Sequence, residues 1–284
     1  MENIIRKASV LVEAIPYIDQ YRRKVFVIKY GGSILHDDVI RKRVLEDIIF
    51  LSFVGIRIIL VHGGGPNISN RLKEMGIEPH FHNGIRVTDE KTLQVVIKEL
   101  DEINGQLVAE IKALGGDVTG LSGHENIVHV EKKRADLDLG YVGTITNIEF
   151  KLLARHVRQG RITVVAPLGI GIDHQPHNVN ADEVASAIAS SMRAEKFVLL
   201  TDVPGVMRDA KDPSSLYSTL TVAEVDDLKK QGIISGGMIP KVDACIEALA
   251  GGIPKAHIVD ARQDRALLLE IFTDTGVGTE IVHG

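Results

Sequence analysis

The chain has no tryptophan and a single cysteine, Cys245. One thiol forms no internal disulfide, so packing alone must hold the fold, which suits a reducing compartment. There is no basic excess: 33 Lys and Arg stand against 38 Asp and Glu, a formal net charge of −5, far from the footprint of a nucleic-acid binder. No apolar run reaches the length of a membrane span, and Met1–Arg23 carries charges throughout, leaving no core for an export signal. A cytoplasmic protein with no nucleic-acid or membrane partner is therefore expected. Several catalytic signatures are also missing. There is no G-x-x-x-x-G-K-[ST], no G-x-G-x-x-G, no H-R-D and no G-x-S-x-G. Yet 284 residues, 44% of them hydrophobic, can bury a substantial core without staples, which excludes disordered, collagen-like and disulfide-scaffold classes.

Short apolar runs alternate with amphipathic stretches. Val25–Ile28, Ile56–Val61, Thr163–Ala166, Phe197–Leu200 and His257–Val259 read as buried strands. Ile40–Phe53, Ile68–Met75, Leu93–Leu114, Phe150–Gln159, Ala181–Met192, Val222–Gln231 and Ile239–Ala250 read as helices. Strand–helix alternation with all-apolar strands predicts a parallel sheet covered on both faces. Asn126–Val130 and Tyr141–Thr146 predict a hairpin inserted on that sheet, and Gly169–Val179 a hinge loop between two lobes. Ile4, Ala8, Leu11, Ile15 and Ile18 form one helical stripe that Pro16 should kink. Periodicity alone favours packing of this helix on its own domain.

Three glycine-rich loops follow predicted strands or open a helix, where open parallel sheets bind ligands. They are Lys29-Tyr30-Gly31-Gly32-Ser33, His62-Gly63-Gly64-Gly65-Pro66 and Ser235-Gly236-Gly237-Met238-Ile239-Pro240-Lys241. Close backbone approach and free amides at a helix start favour phosphate or carboxylate ligands. Each loop alone could equally be a turn. Asn83-Gly84-Ile85-Arg86-Val87-Thr88-Asp89 offers a guanidinium fork for a carboxylate, or a surface salt bridge before a helix. Asn178, Asn180 and Asp182 alternate before a helix and could hold a polar ligand or simply cap it. Thr201-Asp202-Val203-Pro204-Gly205-Val206 is a turn or a nucleotide-binding edge. His174/His177 and His80/His82 lack a clear third ligand nearby, which argues against zinc. Cys245 shares an apolar helix face with Val242, Ile246 and Leu249 and reads as core.

The succession K-Y-G-G, H-G-G-G-P, N-G-I-R-V-T-D, N-V-N-A-D, T-D-V-P-G-V and G-G-M-I-P-K, within about Val25 to Val282, closely resembles the N-acetyl-L-glutamate kinases of the amino acid kinase family. The resemblance implies an α/β fold, a three-layer α/β/α sandwich with a mainly parallel open sheet. It implies an oligomerisation helix over 1–24 and a kinase domain over 25–284. The N-acetylglutamate lobe would span about 25–175 and the ATP lobe about 176–284. Lys29, Lys241 and Asp182 would be catalytic, with Asp182 holding both ammonium groups. Gly64, Gly65, Arg86, Asn178 and Asn180 would bind N-acetylglutamate. Gly31, Gly32, Asp202, Val203, Gly205, Val206, Met207, Ser235, Gly236 and Met238 would meet ATP, with Mg²⁺ accompanying the nucleotide and no metal held by side chains alone. Tyr17, Lys196, His257, Glu270 and Gly276-Val277-Gly278 match the family's inhibitory arginine site. That match reverses the expectation for the first helix, which would interlace dimers into a homohexamer, a trimer of dimers. A PII-type regulatory protein partners some members of the family.

Three departures stand out. Ala261 replaces a common glycine and Arg265 a common histidine, both expected near the arginine site, and Glu183 replaces a frequent threonine. Two rival readings share these motifs. A kinase for a carrier-linked aminoadipate should show a basic docking surface, which a charge of −5 does not support. A non-catalytic sensor would have no need of Lys29, Asp182 and Lys241 together.

Overall fold

The computed structural model describes residues 12–274 and 276–284. Its centre is an eight-stranded sheet. Strands β1 (Val25–Tyr30) and β2 (Arg57–His62) lie side by side in parallel, and the two-residue strands β3 (Phe81–His82) and β4 (Ile85–Arg86) form a separate hairpin. Next come β5 (Val118–Leu121), β6 (Val128–Lys132), β7 (Gly143–Ile148), β8 (Ile162–Val165), β9 (Leu168–Ile170) and β10 (Pro176–Asn178). The chain continues through β11 (Lys196–Thr201), β12 (Thr219–Thr221), β13 (Lys255–Asp260) and β14 (Thr279–Val282). The central order is β12-β14-β13-β11-β1-β2-β8-β5, parallel from β13 to β5. β14 is antiparallel to β13, and the edge strand β12 is parallel to β14, so these two run opposite to the other six. Neither β5, β12 nor β14 was legible as a buried run, since all three are short.

Alternation along β1 and β2 builds the sandwich. Phe26, Ile28, Ile58 and Leu60 face one layer of helices, and Val27, Ile59 and Val61 face the other. The first layer holds α2 (Asp38–Phe53), α4 (Glu90–Ala113) and α9 (Ala266–Phe272), with α3 (Gly65–Glu74) packed on α4. The short α1 (Ile15–Tyr21) precedes β1 and adds Tyr21 to that layer. The second layer holds α5 (Phe150–Arg158), α6 (Ala181–Met192), α7 (Val222–Lys230) and α8 (Ile239–Ala250). Cys245 is wholly buried in it, and burial pushes its thiol pKa up, as suits a core residue.

Pro16 sits in the first turn of α1, where a missing N–H costs little, and Ala14 before it is a turn residue. The interruption therefore falls just ahead of the proline. Ile4, Ala8 and Leu11 of the predicted stripe lie outside the described residues. The expected hairpin exists, as β6 and β7, within a separate four-stranded sheet, and its Val128, Val130 and Ile148 pack into the same core as Val27, Ile59 and Val61 of the central sheet. Gly169–Val179, expected as a loop, supplies most of the β9–β10 hairpin instead, giving a four-stranded sheet in the order β10-β9-β6-β7. The polar Gly and Pro residues that suggested a loop belong to its turn and edge. No helix among the described residues is long and apolar enough to cross a membrane.

Candidate active site

Strand β1 lies between β2 and β11, so the chain leaves it in one direction and returns on the other side. Ligands gather at such a switch point, outside the carboxyl ends of the strands. Lys29 is near the end of β1 and His62 ends β2. The loops after them touch: a Cβ on Gly31 would stand 3.2 Å from the Gly63 Cα, so side chains at these positions would be crowded. Gly64 is equally constrained, since a Cβ there would approach Leu100 Cδ2 to 2.7 Å. The backbone thus reaches the cleft unshielded, and α3 starts at Gly65, which lines it.

A cleft of about 270 Å³ opens here, lined by Lys29, Gly32, Gly63–Pro66, Arg86, Asn178 and Asn180–Glu183, among others. Asp182 is buried in the first turn of α6. Lys29 Nζ lies 2.9 Å from its Oδ1 and Lys241 Nζ 3.9 Å from its Oδ2. The 2.9 Å contact makes Lys29 the closer of the two cations. Burial pushes the Asp182 pKa up, but the two ammonium groups prevail and hold it below the usual carboxylate value. Burial also pulls Lys241 down, opposed chiefly by Asp182.

Arg86 is placed by the β3–β4 hairpin. Asn83 and Gly84 have φ of 48° and 79°, the two positive values that a tight type I′ turn demands. Arg86 Nη2 donates to Gly65 O at 3.0 Å and to Ser69 Oγ at 2.8 Å, and the guanidinium lies over the Phe81 ring at 4.7 Å. Its Nη1 is buried with no hydrogen-bond partner in the structure, and burial lowers the Arg86 pKa. A buried cation with an orphan donor at the wall of a cleft is arranged for an anionic acceptor. Asn178 Nδ2 donates to Thr88 Oγ1 at 3.1 Å. Asn180 is the N-cap of α6, its Oδ1 accepting from the Asp182 and Glu183 amides, and Asp89 caps α4.

Other expected residues fall along the same sheet edge but outside this cleft's lining. Asp202 follows β11, and its charge acts on Lys241. Gly205, with φ of 144°, packs against Thr279, whose Oγ1 accepts from the Val206 amide at 2.9 Å. Met207 bridges to Leu216. Ser235 precedes the single turn Gly236–Met238, which delivers Lys241 to the first turn of α8. No group of three or more His, Cys, Asp or Glu among the described residues is placed to hold a metal ion. His82 instead contacts Asp136, and His177 the Gln175 carbonyl.

The sequence reading missed Lys133. It lines the cleft and donates to Glu183 Oε1 at 2.9 Å. The pair spans 50 positions, and no local pattern signals it.

A second cleft, about 220 Å³, is lined by Tyr17, Lys196, His257, Glu270 and Gly276, together with Lys255, Asp274 and Glu280. Lys196 Nζ is 3.0 Å from His257 Nε2, and His257 Nδ1 is 2.6 Å from Glu270 Oε1. Glu270 Oε2 accepts from the Val277 and Gly278 amides. Burial lowers the His257 and Lys196 pKa values, so a neutral imidazole accepts from Lys196 and donates to Glu270. Ala261 and Arg265, expected near this cleft, are not in its lining. Ala261 is buried in the core, and Arg265 reaches away to Glu46 and Asp47 of α2, at 2.7 Å each.

The chain matches the amino acid kinase family model over residues 24–260. It is 45% identical over 282 residues to the acetylglutamate kinase of Syntrophomonas wolfei, spanning 98% of both chains. Among solved structures it is similar to N-acetylglutamate synthase from Neisseria gonorrhoeae complexed with coenzyme A and N-acetyl-glutamate, with a TM-score of 0.87 and 27% identity over 98% of this chain. The same synthase complexed with coenzyme A and L-arginine superposes with a TM-score of 0.84 and 28% identity, again over 98% of this chain. This chain spans 63% and 65% of those two synthase chains, less than two thirds.

Proposed function

The chain belongs to the amino acid kinase family and, within it, to the acetylglutamate kinases, and from that premise we propose how its cleft works. The enzyme transfers the γ-phosphoryl group of ATP to the side-chain carboxylate of N-acetyl-L-glutamate. The product, N-acetyl-L-glutamyl 5-phosphate, belongs to the second step of arginine biosynthesis. The acceptor, with a pKa near about 4, is already ionised at neutral pH, so no general base is needed. A carboxylate oxygen forms the new P–O bond while the bond to the β-phosphate oxygen breaks, and ADP leaves with the electron pair. The difficulty is to bring an anion against a polyphosphate, which makes positioning and charge neutralisation the catalytic work.

The observation that carries the assignment of roles is the Lys29–Asp182–Lys241 array at the cleft. Lys29 stabilises the transferring phosphoryl group and Lys241 the nucleotide phosphates. Asp182 keeps both ammonium groups charged and aimed; with its pKa held low, it is an orienting group and not a base. The amides around Gly32 and Gly64 meet the phosphoryl oxygens. Arg86 offers Nη1 to the α-carboxylate of N-acetylglutamate, while Gly64, Gly65 and Asn178 hold the rest, with Asn180 fixing the start of α6. Gly31 permits the close approach of the first two loops. Asp202–Met207 and Ser235–Lys241 line the ATP side. Magnesium would enter with the nucleotide, since Asp182 is already shared between two lysines, and would supply charge neutralisation to the phosphates.

The second cleft takes L-arginine as a feedback inhibitor. Its mixed lining of Glu270, Glu280, Asp274 and Lys196 suits a zwitterion with a guanidinium tail, and the related synthase is known complexed with L-arginine. The first helix joins dimers into a hexamer. Trapping the acyl phosphate as a hydroxamate, with and without arginine, tests both readings. Hydroxamate that depends on N-acetylglutamate and falls with arginine is expected. Formation insensitive to arginine removes the inhibitory site, and no hydroxamate removes the catalytic roles.

A further inference from the structure

His62 is wholly buried beneath the glycine loop, and the mechanism above gives it no part. Its two ring nitrogens have different neighbours. Nδ1 is 3.0 Å from the Gly63 carbonyl oxygen, and Nε2 is 3.3 Å from Asn104 Nδ2. That Asn104 nitrogen also faces the carbonyl oxygens of Leu121, at 3.4 Å, and Val164, at 3.3 Å. Two carbonyls can only accept, so they identify this atom as the amide NH₂. An N–H on Nε2 would face this NH₂ donor to donor, so Nε2 carries no proton. A bare Nε2 leaves the proton of a neutral imidazole on Nδ1, where it donates to Gly63 O. Burial lowers the His62 pKa to about 4, opposed by the bond to Gly63, so the ring is neutral at pH 7. The Asn104 amide has room because Gly120 of β5 carries no side chain: a Cβ there would collide with Asn104 Oδ1.

The consequence falls on the next peptide group. The Gly63–Gly64 peptide is trans, so its carbonyl and N–H point to opposite edges. With the carbonyl turned down to the buried ring, the Gly64 N–H turns up to the cleft that Gly64 lines. We propose that His62, fixed by Asn104 as its Nδ1–H tautomer, is a positioning residue that holds the Gly63 carbonyl and thereby aims the Gly64 amide at the transferring phosphoryl group. The inference rests on the reading that this amide meets that group.

Two measurements test it. In wild-type enzyme labelled with ¹⁵N-histidine, the His62 resonances, assigned by their loss in His62→Asn, should show a protonated Nδ1 and a bare Nε2 at pH 7. A proton on Nε2 overturns the proposal. In steady-state kinetics, the Asn amide nitrogen can replace Nδ1 and the Gln amide nitrogen replaces Nε2 instead. His62→Asn should keep kcat within about tenfold, and His62→Gln should lose about 100-fold with KM for N-acetylglutamate little changed. Equal kcat in the two variants overturns it. Lys29→Ala separates this from the underlying reading. If its turnover is unchanged, the site assignment has failed; if it collapses while the two His62 variants match, only the positioning role has. Should both His62 variants fail to fold, sequential backbone assignment through Val61 and Gly63 identifies the His62 ring, and the wild-type tautomer still decides.

Discussion

Asp182→Asn removes the carboxylate that Lys29 and Lys241 share while keeping its shape at the start of α6. Lys241 is already held below its ordinary pKa by burial, and Asp182 is the chief opposing influence. At 3.9 Å that attraction is about 4 kcal/mol at an effective dielectric constant near 20. The Lys241 side chain is 22% exposed, so water screens part of it, and the Lys241 pKa should fall further when the attraction is lost. A lower pKa means that Lys241 loses its proton earlier as pH rises, so the alkaline limb of kcat moves to lower pH. Breaking a buried pair costs about 3–5 kcal/mol, and about 3 kcal/mol taken from the transition state is ~100-fold in kcat. The assay is hydroxamate formation from pH 6 to 10 at saturating ATP. A variant with kcat within about threefold of wild type and an unmoved alkaline limb refutes the argument.

Arg86→Lys keeps the charge but loses the fork, so KM for N-acetylglutamate should rise at least ~10-fold with a smaller change in kcat; unchanged KM removes Arg86 from the carboxylate site. His62 should make stability depend on pH. Its folded pKa of about 4 lies below the unfolded value of 6.5, so the unfolded chain takes up the proton first and stability falls with acidification between those values. The loss from pH 7 to pH 5 should be about 2 kcal/mol, and urea unfolding of His62→Asn should lack it. Glu270→Gln should weaken arginine inhibition while leaving the basal rate, because Glu270 lines the second cleft and not the first. Deleting residues 1–14, which spares Tyr17 and the buried Tyr21, should leave kinase activity but give dimers in sedimentation. A truncated protein that remains hexameric refutes a role for residues 1–14 in joining the dimers.

Much of this was legible along the chain. Local chemistry determined the buried strands, because Val and Ile runs covered on both faces need no partner to be recognised. It also determined the glycine loops and their lysines, because backbone crowding at Gly31 and Gly63 and the Leu100 side chain over Gly64 disfavour larger residues. Arg86 was readable for the same reason: the Asn83-Gly84 turn that places it is written in two adjacent residues. What the tertiary structure decided depends on distance along the chain. Periodicity carried no sign that Gly169–Val179 pairs as strands, that β14 runs antiparallel, or that Lys133 meets Glu183. The second cleft joins Lys196, His257 and Glu270 from β11, β13 and α9, and only family likeness suggested it beforehand. His62 shows the limit most plainly. The motif places a histidine before three glycines, but its tautomer is set by Asn104, 42 residues away, through contacts that exist only once the helix has packed against the sheet.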